Sequence, residues 1–292
     1  MSTKKEEKDI IKFLEYSVGK SGFSLESKVA STLSKTFHVS REVSYFDKDE
    51  KKGRRVDLIV RKQFPPESSF DKNKISHVGQ VNFIIECKNI PGNIWIFSEE
   101  KEEERVTIPE WVSLTDSLGK EDPVRKTIPI WPIKNIPYVA GYDEFVFDKE
   151  KSNRSKKESN NLFSAIYSVT KAAAFEKTSI KESLDLTQYF DLKQKFIIHF
   201  MFIQPLILFS GKIFVTTYDG DTPTFRQVDW VQMKKDYVSK EYKEKRGEIH
   251  IVNVDKLDEY MELAMEHFSI GSQKIIQTQE KFRTAKNSLK HV

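Results

Sequence analysis

One stretch constrains this chain more than any other. From Phe196 to Phe209 it reads FIIHFMFIQPLILF, the most hydrophobic run in the sequence. It is shorter than the roughly 20 residues a membrane-crossing helix needs, and His199, Gln204 and Pro205 lie inside it. Such a run must be buried in protein, and the expected form is a strand pair broken at Pro205. The N-terminus, MSTKKEEKD, is charged and is followed by no apolar signal core, so a cytoplasmic, non-membrane protein is expected. With 38% hydrophobic residues and 21 Phe, the chain can fill a sizeable core, which excludes wholesale disorder. Its single cysteine excludes an intrachain disulfide and a cysteine-based zinc site. Lys plus Arg exceeds Asp plus Glu by 48 − 44 = +4, which permits a polyanionic partner without demanding one.

The hydrophobic period organises the rest. Residues 5–19 read as a helix, with Ile10, Ile11, Leu14 and Val18 at helical spacing. After Gly22 a second helix over 24–36, capped by Ser24, carries a stripe of Leu25, Val29 and Leu33 that Phe37 continues. The period then falls to two. HVSREVSYF (38–46) alternates through Val39, Val43 and Tyr45, and in RRVDLIVRK (54–62) Val56, Leu58 and Val60 share one face. A polar loop over 63–80 precedes a third strand, VNFIIECKNI (81–90), closed by Pro91 and Gly92. Residues 91–157 hold six of the ten prolines and three of the four tryptophans, which predicts an insertion of loops and short strands packed on the main domain. Helical spacing resumes in LFSAIYSVTKAAAFEK, with Leu162, Ile166, Val169 and Ala173 on one face. The Ser210-Gly211 turn leads to a strand at 212–218, residues 233–247 read as a basic helix, and EIHIVNV (248–254) reads as a strand. A last helix, capped by Asp255, has Leu257, Tyr260, Met261, Ala264 and Phe268 on its inner face. The domain expectation is therefore a core of residues 1–90 and 158–292 with 91–157 inserted. A strand–helix–strand crossover makes part of the sheet parallel.

The candidate chemistry lies in two of these strands. Glu86 and Lys88 must point to one face and Cys87 to the other. Asp57 faces away from Val56 and Leu58. Glu-x-Lys by itself says little, since it also starts at residues 6, 26, 50, 99 and 241. The copy at Glu86 stands apart because it lies within an apolar strand and follows, 86 − 57 = 29 residues later, an apolar strand with a central Asp. Charges set among Val, Ile and Leu must be paired or bound to a cation. Two carboxylates suit a hard divalent cation, and an ammonium beside them can orient water or offset charge on a phosphoryl group. The competing reading is that Asp57 or Glu86 pairs structurally with Lys88, or that these strands lie at a sheet edge.

The pair RVDLIV and FIIECKN resembles the PD-(D/E)xK, or restriction-endonuclease-like, nucleases. That family's core order of helix, three strands, helix and strand matches helix 24–36, strands at 38, 54 and 81, helix 161–176 and the strand at 196. The resemblance covers residues 20–90 and 160–220. It implies an α/β fold with a mixed central sheet flanked by helices, here with a Pro/Trp-rich insertion that has no match in the minimal core. It further implies Mg²⁺ or Mn²⁺ held by Asp57, Glu86 and the backbone carbonyl of Cys87, with Lys88 as the catalytic ammonium. Glu26 in LESKVA matches the metal-linked Glu that many members carry on the first core helix. One departure is that Val56 stands where the family's nominal proline precedes the Asp.

The implied activity is a metal-dependent deoxyribonuclease of restriction, repair or defence type, with RNA and a homodimer left open. The rivals are an inactive nucleic-acid-binding or scaffold protein on the same fold, and an unrelated α/β protein with a structural Asp–Lys pair. Basic runs offer candidate phosphate contacts at Lys151, Arg154, Lys156 and Lys157, and at Lys234, Lys235, Lys243 and Arg246. Each taken singly reads more readily as a solvated face. Arg41 could touch phosphate or simply face solvent. Trp95 and Phe97 are either base-stacking aromatics or, as the better reading, core. His38, His77, His199 and His250 show no metal-ligand spacing, and His199 reads as a core residue.

Overall fold

The apolar run and the Glu-x-Lys segment are neighbours. In a computed structural model of the chain, β3 (His77–Lys88) and β7 (Ile198–Phe209) pair in parallel along their whole length, from His77↔Ile198 to Lys88↔Phe209. The structure describes residues 4–19, 22–64, 77–90, 92–100, 111–113, 136–146, 161–187, 198–235, 241 and 247–289. From Ile198 onward the apolar run is one continuous strand, not a pair. Pro205 sits inside it opposite Ile84. On its other edge, β7 pairs with β5 (Trp111–Ser113) at Phe200 to Phe202 and with β11 (Gly247–Asn253) at Leu206 to Phe209. Pro205 falls between those two ladders, so a residue without an N–H interrupts neither.

The sheet is mixed. β1 (His38–Asp47) and β2 (Lys52–Phe64) form an antiparallel hairpin, and β2 continues antiparallel onto β3. Beyond β7 and β11 come β10 (Trp230–Lys235), β6 (Tyr138–Val146), β4 (Asn93–Glu99), β8 (Lys212–Asp219) and β9 (Thr222–Val228), in that order. The described parts of 91–157 are thus strands hydrogen-bonded into the sheet. Met233 to Lys235, expected as the start of a basic helix, belong to strand β10, antiparallel to β11. Apolar Val231 and Met233 alternate with polar Gln232, the period of a strand and not of a helix, and all three are buried.

Helices cover both faces. On one side, α2 (Gly22–Leu33) and α4 (Leu257–Leu289) bury Leu25, Val29, Leu33, Leu257, Tyr260, Met261, Ala264 and Phe268 against Leu58, Phe83, Ile85, Cys87, Phe202 and Leu206. On the other, α3 (Asn161–Thr187) packs Leu162, Ile166 and Val169 on Ile207, Phe209, Ile249 and Ile251, and Ala172 and Ala173 on Ile59, Ile84 and Ile203. The predicted inner faces of these three helices are therefore the buried ones. Two cap assignments shift. α2 begins at Gly22, so Ser24 is within it, and a 3-10 turn (Val254–Lys256) precedes α4, with Asn253 as its cap, accepting the Asp255 N–H at 2.8 Å. α1 (Lys4–Gly19) lies beside α2 and leaves Ile10, Ile11 and Leu14 exposed rather than buried.

Strands β1 and β2 change face midway. Val39 packs toward α2 and α4, but Val43 and Tyr45 pack toward α3. Leu58 and Val60 do the former and Val56 the latter, so Val56, Leu58 and Val60 do not share a face. The switch falls at the level of Glu42 and Asp57, bracketed by Arg41↔Leu58 and Val43↔Val56. Glu42 there has φ 46°, a left-handed conformation that side chains with a Cβ rarely adopt.

Candidate active site

The distortion brings Asp57 to the end of the β2–β3 ladder, one residue beyond Leu58↔Ile85. Its Oδ2 accepts the backbone N–H of Cys87 at 2.7 Å. The carboxylate thus stands in for a strand carbonyl and locks Asp57 beside the Glu-x-Lys segment. Strand alternation does the rest. Phe83, Ile85 and Cys87 go to the α2–α4 side, and Ile84 goes with Glu86 to the α3 side. Glu86 is buried and both of its oxygens are engaged. Oε1 accepts from Lys88 Nζ at 2.8 Å and Oε2 accepts from Ser168 Oγ on α3 at 2.9 Å.

The electrostatics follow from the burial. Burial pushes the Glu86 carboxyl up, opposed by the Lys88 ammonium and reinforced by the Asp57 charge. Burial likewise raises Asp57, against the pull of the Cys87 N–H and Lys88, with Glu42 adding to the rise. Burial raises the Cys87 thiol well above its usual range, with Asp57, Glu86 and Glu26 adding to it, so this cysteine stays a neutral core group. Glu26 on α2 is buried and its carboxyl is raised by burial first and by Asp57 second, which places it in the same electrostatic neighbourhood. Arg41 on β1 opposes that rise, with Nε 3.4 Å from Glu26 Oε1 and Nη2 2.7 Å from Ser27 Oγ.

Asp57, Glu86 and Lys88 are therefore brought together, and Glu26, bonded to Arg41, feels them only through the charge of Asp57. Among the described residues no three His, Cys, Asp or Glu side chains cluster closely enough to hold a metal ion by themselves. The donor set nonetheless suits a hard cation that keeps several waters and needs only one or two carboxylates. Asp57 and Glu86 are oxygen donors that repel each other, and the Cys87 carbonyl lies between Glu86 and Lys88 in sequence.

The basic candidates fare differently. Lys151, Arg154, Lys156, Lys157, Lys243 and Arg246 lie outside the described residues, as do His77's and His199's side chains. Lys234 is half-buried on β10, opposite Glu248, and Lys235 ends that strand. Trp95 and Phe97 are wholly buried, Trp95 stacked on Phe209 at 3.7 Å, so they are core. His250 is buried between Tyr260 and Glu248. The sequence reading missed Ser168, a half-buried hydroxyl beside the apolar face of α3 whose role leaves no signal in the sequence. It also missed Glu42 and Arg55, which pair at 3.0 Å beside Asp57.

Pinning continues past the site. Ser210 Oγ accepts the Ile90 N–H at 2.7 Å and donates to the Lys88 carbonyl at 3.3 Å, and its N–H donates to the same carbonyl. The exit of β3 is thereby fixed to the end of β7. No family model, no curated protein and no solved structure matches the chain.

Proposed function

We propose that the chain is a metal-dependent phosphodiester hydrolase acting on nucleic acid, a deoxyribonuclease of the PD-(D/E)xK kind with a restriction, repair or defence role. The observation that carries the reading is the convergence of Asp57, Glu86 and Lys88 at the point where β2 is distorted and leaves its ladder. Asp57, Glu86 and the Cys87 carbonyl would hold Mg²⁺ or Mn²⁺, with Glu26 as an outer carboxylate. The cation, when bound, would neutralise phosphate charge and lower the pKa of a coordinated water. Lys88 would give up its bond to Glu86 and orient the attacking water against the phosphorus. Water's oxygen forms the new P–O bond, its proton leaves to solvent or a phosphate oxygen, and the departing sugar oxygen takes a proton. Ser168 would keep Glu86 in one rotamer and leave the second Glu86 oxygen to Lys88 or the cation.

A second reading has its own support. Lys88 and Ser168 already satisfy both oxygens of Glu86, as a purely structural pair in an inactive nucleic-acid-binding or scaffold protein would. Cleavage of plasmid DNA, single-stranded DNA and RNA in Mg²⁺, Mn²⁺ and EDTA separates the two. Metal-dependent cleavage that falls by about a hundredfold or more in Lys88→Ala and Asp57→Ala supports the nuclease. Full activity in a folded Asp57→Ala protein sinks it.

A further inference from the structure

Two arginines and a phenylalanine border the carboxylates in a way that the catalytic set does not use. Arg41 and Arg55 have 44% and 67% of their side chains exposed. They flank the Glu42–Asp57 level of the hairpin, Arg41 opposite Leu58 and Arg55 opposite Ser44. Arg55 acts electrostatically on Asp57 and Arg41 on Glu26, so both guanidinium groups stand within reach of the site. Their present partners are poor holders. Arg41 reaches its one carboxylate, Glu26, through a 3.4 Å contact, longer than a good hydrogen bond, and its short bond goes to the neutral Ser27 hydroxyl, while Arg55 meets Glu42 in an exposed pair worth little in water. Phe23, at the start of α2, is 56% exposed, and the Arg41 guanidinium lies 5.8 Å from its ring centroid.

We infer that Arg41, Arg55 and Phe23 form the contact for a single-stranded or unpaired nucleotide next to the scissile phosphate. Phosphate offers each guanidinium the bidentate partner that Glu26 and Glu42 do not. Phe23 supplies a face on which a base stacks with any sequence. Arrival of the strand takes Arg41 from Glu26 and Arg55 from Glu42, so substrate binding frees Glu26 to turn toward Asp57. The left-handed Glu42 fits this role. A strained residue held in a strand sets the competing carboxylate against Arg55 and places both arginines on the same rim. The inference takes its substrate class from the nuclease reading.

The test is fluorescence anisotropy of a fluorescein-labelled oligodeoxythymidine in Ca²⁺, titrated with salt, beside cleavage in Mg²⁺. The double variant Arg41→Gln/Arg55→Gln should bind about tenfold or more weakly. Its log K against log salt slope should flatten by about 1.4, at roughly 0.7 per single-strand phosphate. Phe23→Ala should weaken binding about fivefold or more with the slope unchanged. Glu42→Gln, which removes the competing carboxylate, should tighten binding several-fold, an effect that loss of structure cannot mimic. Lys212→Gln, exposed on β8, should change nothing. A wild type that cleaves DNA while the arginine and Phe23 variants bind unchanged overturns this contact and leaves the nuclease standing. A wild type that binds in this variant-sensitive way but cleaves nothing supports the contact and ends the nuclease reading. A wild type that binds no oligonucleotide overturns both.

Discussion

At Asp57 a carboxylate is held in a half-buried place that raises its pKa, so at neutral pH the folded protein carries an ionised group at a cost. Asn in its place keeps an oxygen for the Cys87 N–H and removes the charge. Asp57→Asn should therefore melt higher at pH 7, by about 2–4 °C for each 1 kcal/mol relieved. The sign with pH follows from the raised folded value. As pH falls through that raised folded value the wild type takes up its proton and loses the penalty, so the gap between the two proteins should narrow. A gap that widens on acidification would show that Asp57 is a stabilising partner instead. Ser168 is the complementary case. Removing its hydroxyl leaves one oxygen of buried Glu86 without a donor from the protein, and Ser168→Ala should lose about 1.5 kcal/mol in urea denaturation.

Between elements, the hairpin that carries Asp57 is fastened to α3 by a buried lysine. Lys171 is 5% exposed and donates to Asp47 Oδ2 at 2.7 Å and Glu50 Oε1 at 2.6 Å, while Arg54 donates to the same two carboxylates. Burial alone would raise Asp47, but the bonds from Lys171, the Glu50 N–H and Arg54 outweigh it and hold the carboxyl low. Burial would lower Lys171, and Asp47 and Glu50 outweigh that to hold it high. The Asp47 contribution is therefore complete above the unfolded value of about 3.9 and is lost as pH falls through its lower folded value. The Lys171 contribution is complete below about 10.4 and is lost as pH rises through its higher folded value. Lys171→Met should cost about 3 kcal/mol at neutral pH and move the acid limb upward, read as melting temperature from pH 2 to 11. An unchanged profile would mean that Arg54 alone carries Asp47.

Elements of this kind also show what the residues disclose in advance. Asp57, Glu86 and Lys88 were legible because charge inside an apolar strand violates a local pattern, and the inner faces of α2, α3 and α4 because their period is uniform. The face switch at Glu42 was not legible, since a left-handed Glu in a strand leaves no mark in the alternation and makes Val56 look coplanar with Leu58. Nor was the Ser168 contact, or the Lys171 tie, because each depends on which turn of α3 crosses which strand, and that is set by the packing of the whole face.

For the whole molecule, the carboxylates of the site come from separate elements: Glu26 from α2, Asp57 from β2 and Glu86 from β3. Asp57 repels both of the others, so a cation bound beside it would relieve a repulsion shared by three elements where β2 leaves its ladder. It would bind only where the fold has assembled them, and the stabilisation would follow the free cation over its dissociation constant. At a hundredfold excess that is about 2.7 kcal/mol, enough to raise the melting temperature by about 5 °C or more. Mg²⁺ or Mn²⁺ should therefore raise melting in proportion to the logarithm of its concentration, with Na⁺ at equal ionic strength as the control for screening. The rise should be absent in Asp57→Asn and in Glu86→Gln, although Asp57→Asn starts from a higher melting temperature. Hydrogen exchange should slow around Cys87, whose N–H is held by Asp57, and stay unchanged on the β8–β9 hairpin at the far edge of the sheet. A melting temperature that ignores millimolar Mg²⁺ and Mn²⁺, or rises equally in wild type and Asp57→Asn, would leave Lys88 and Ser168 as the only partners Glu86 needs and return the site to a structural role.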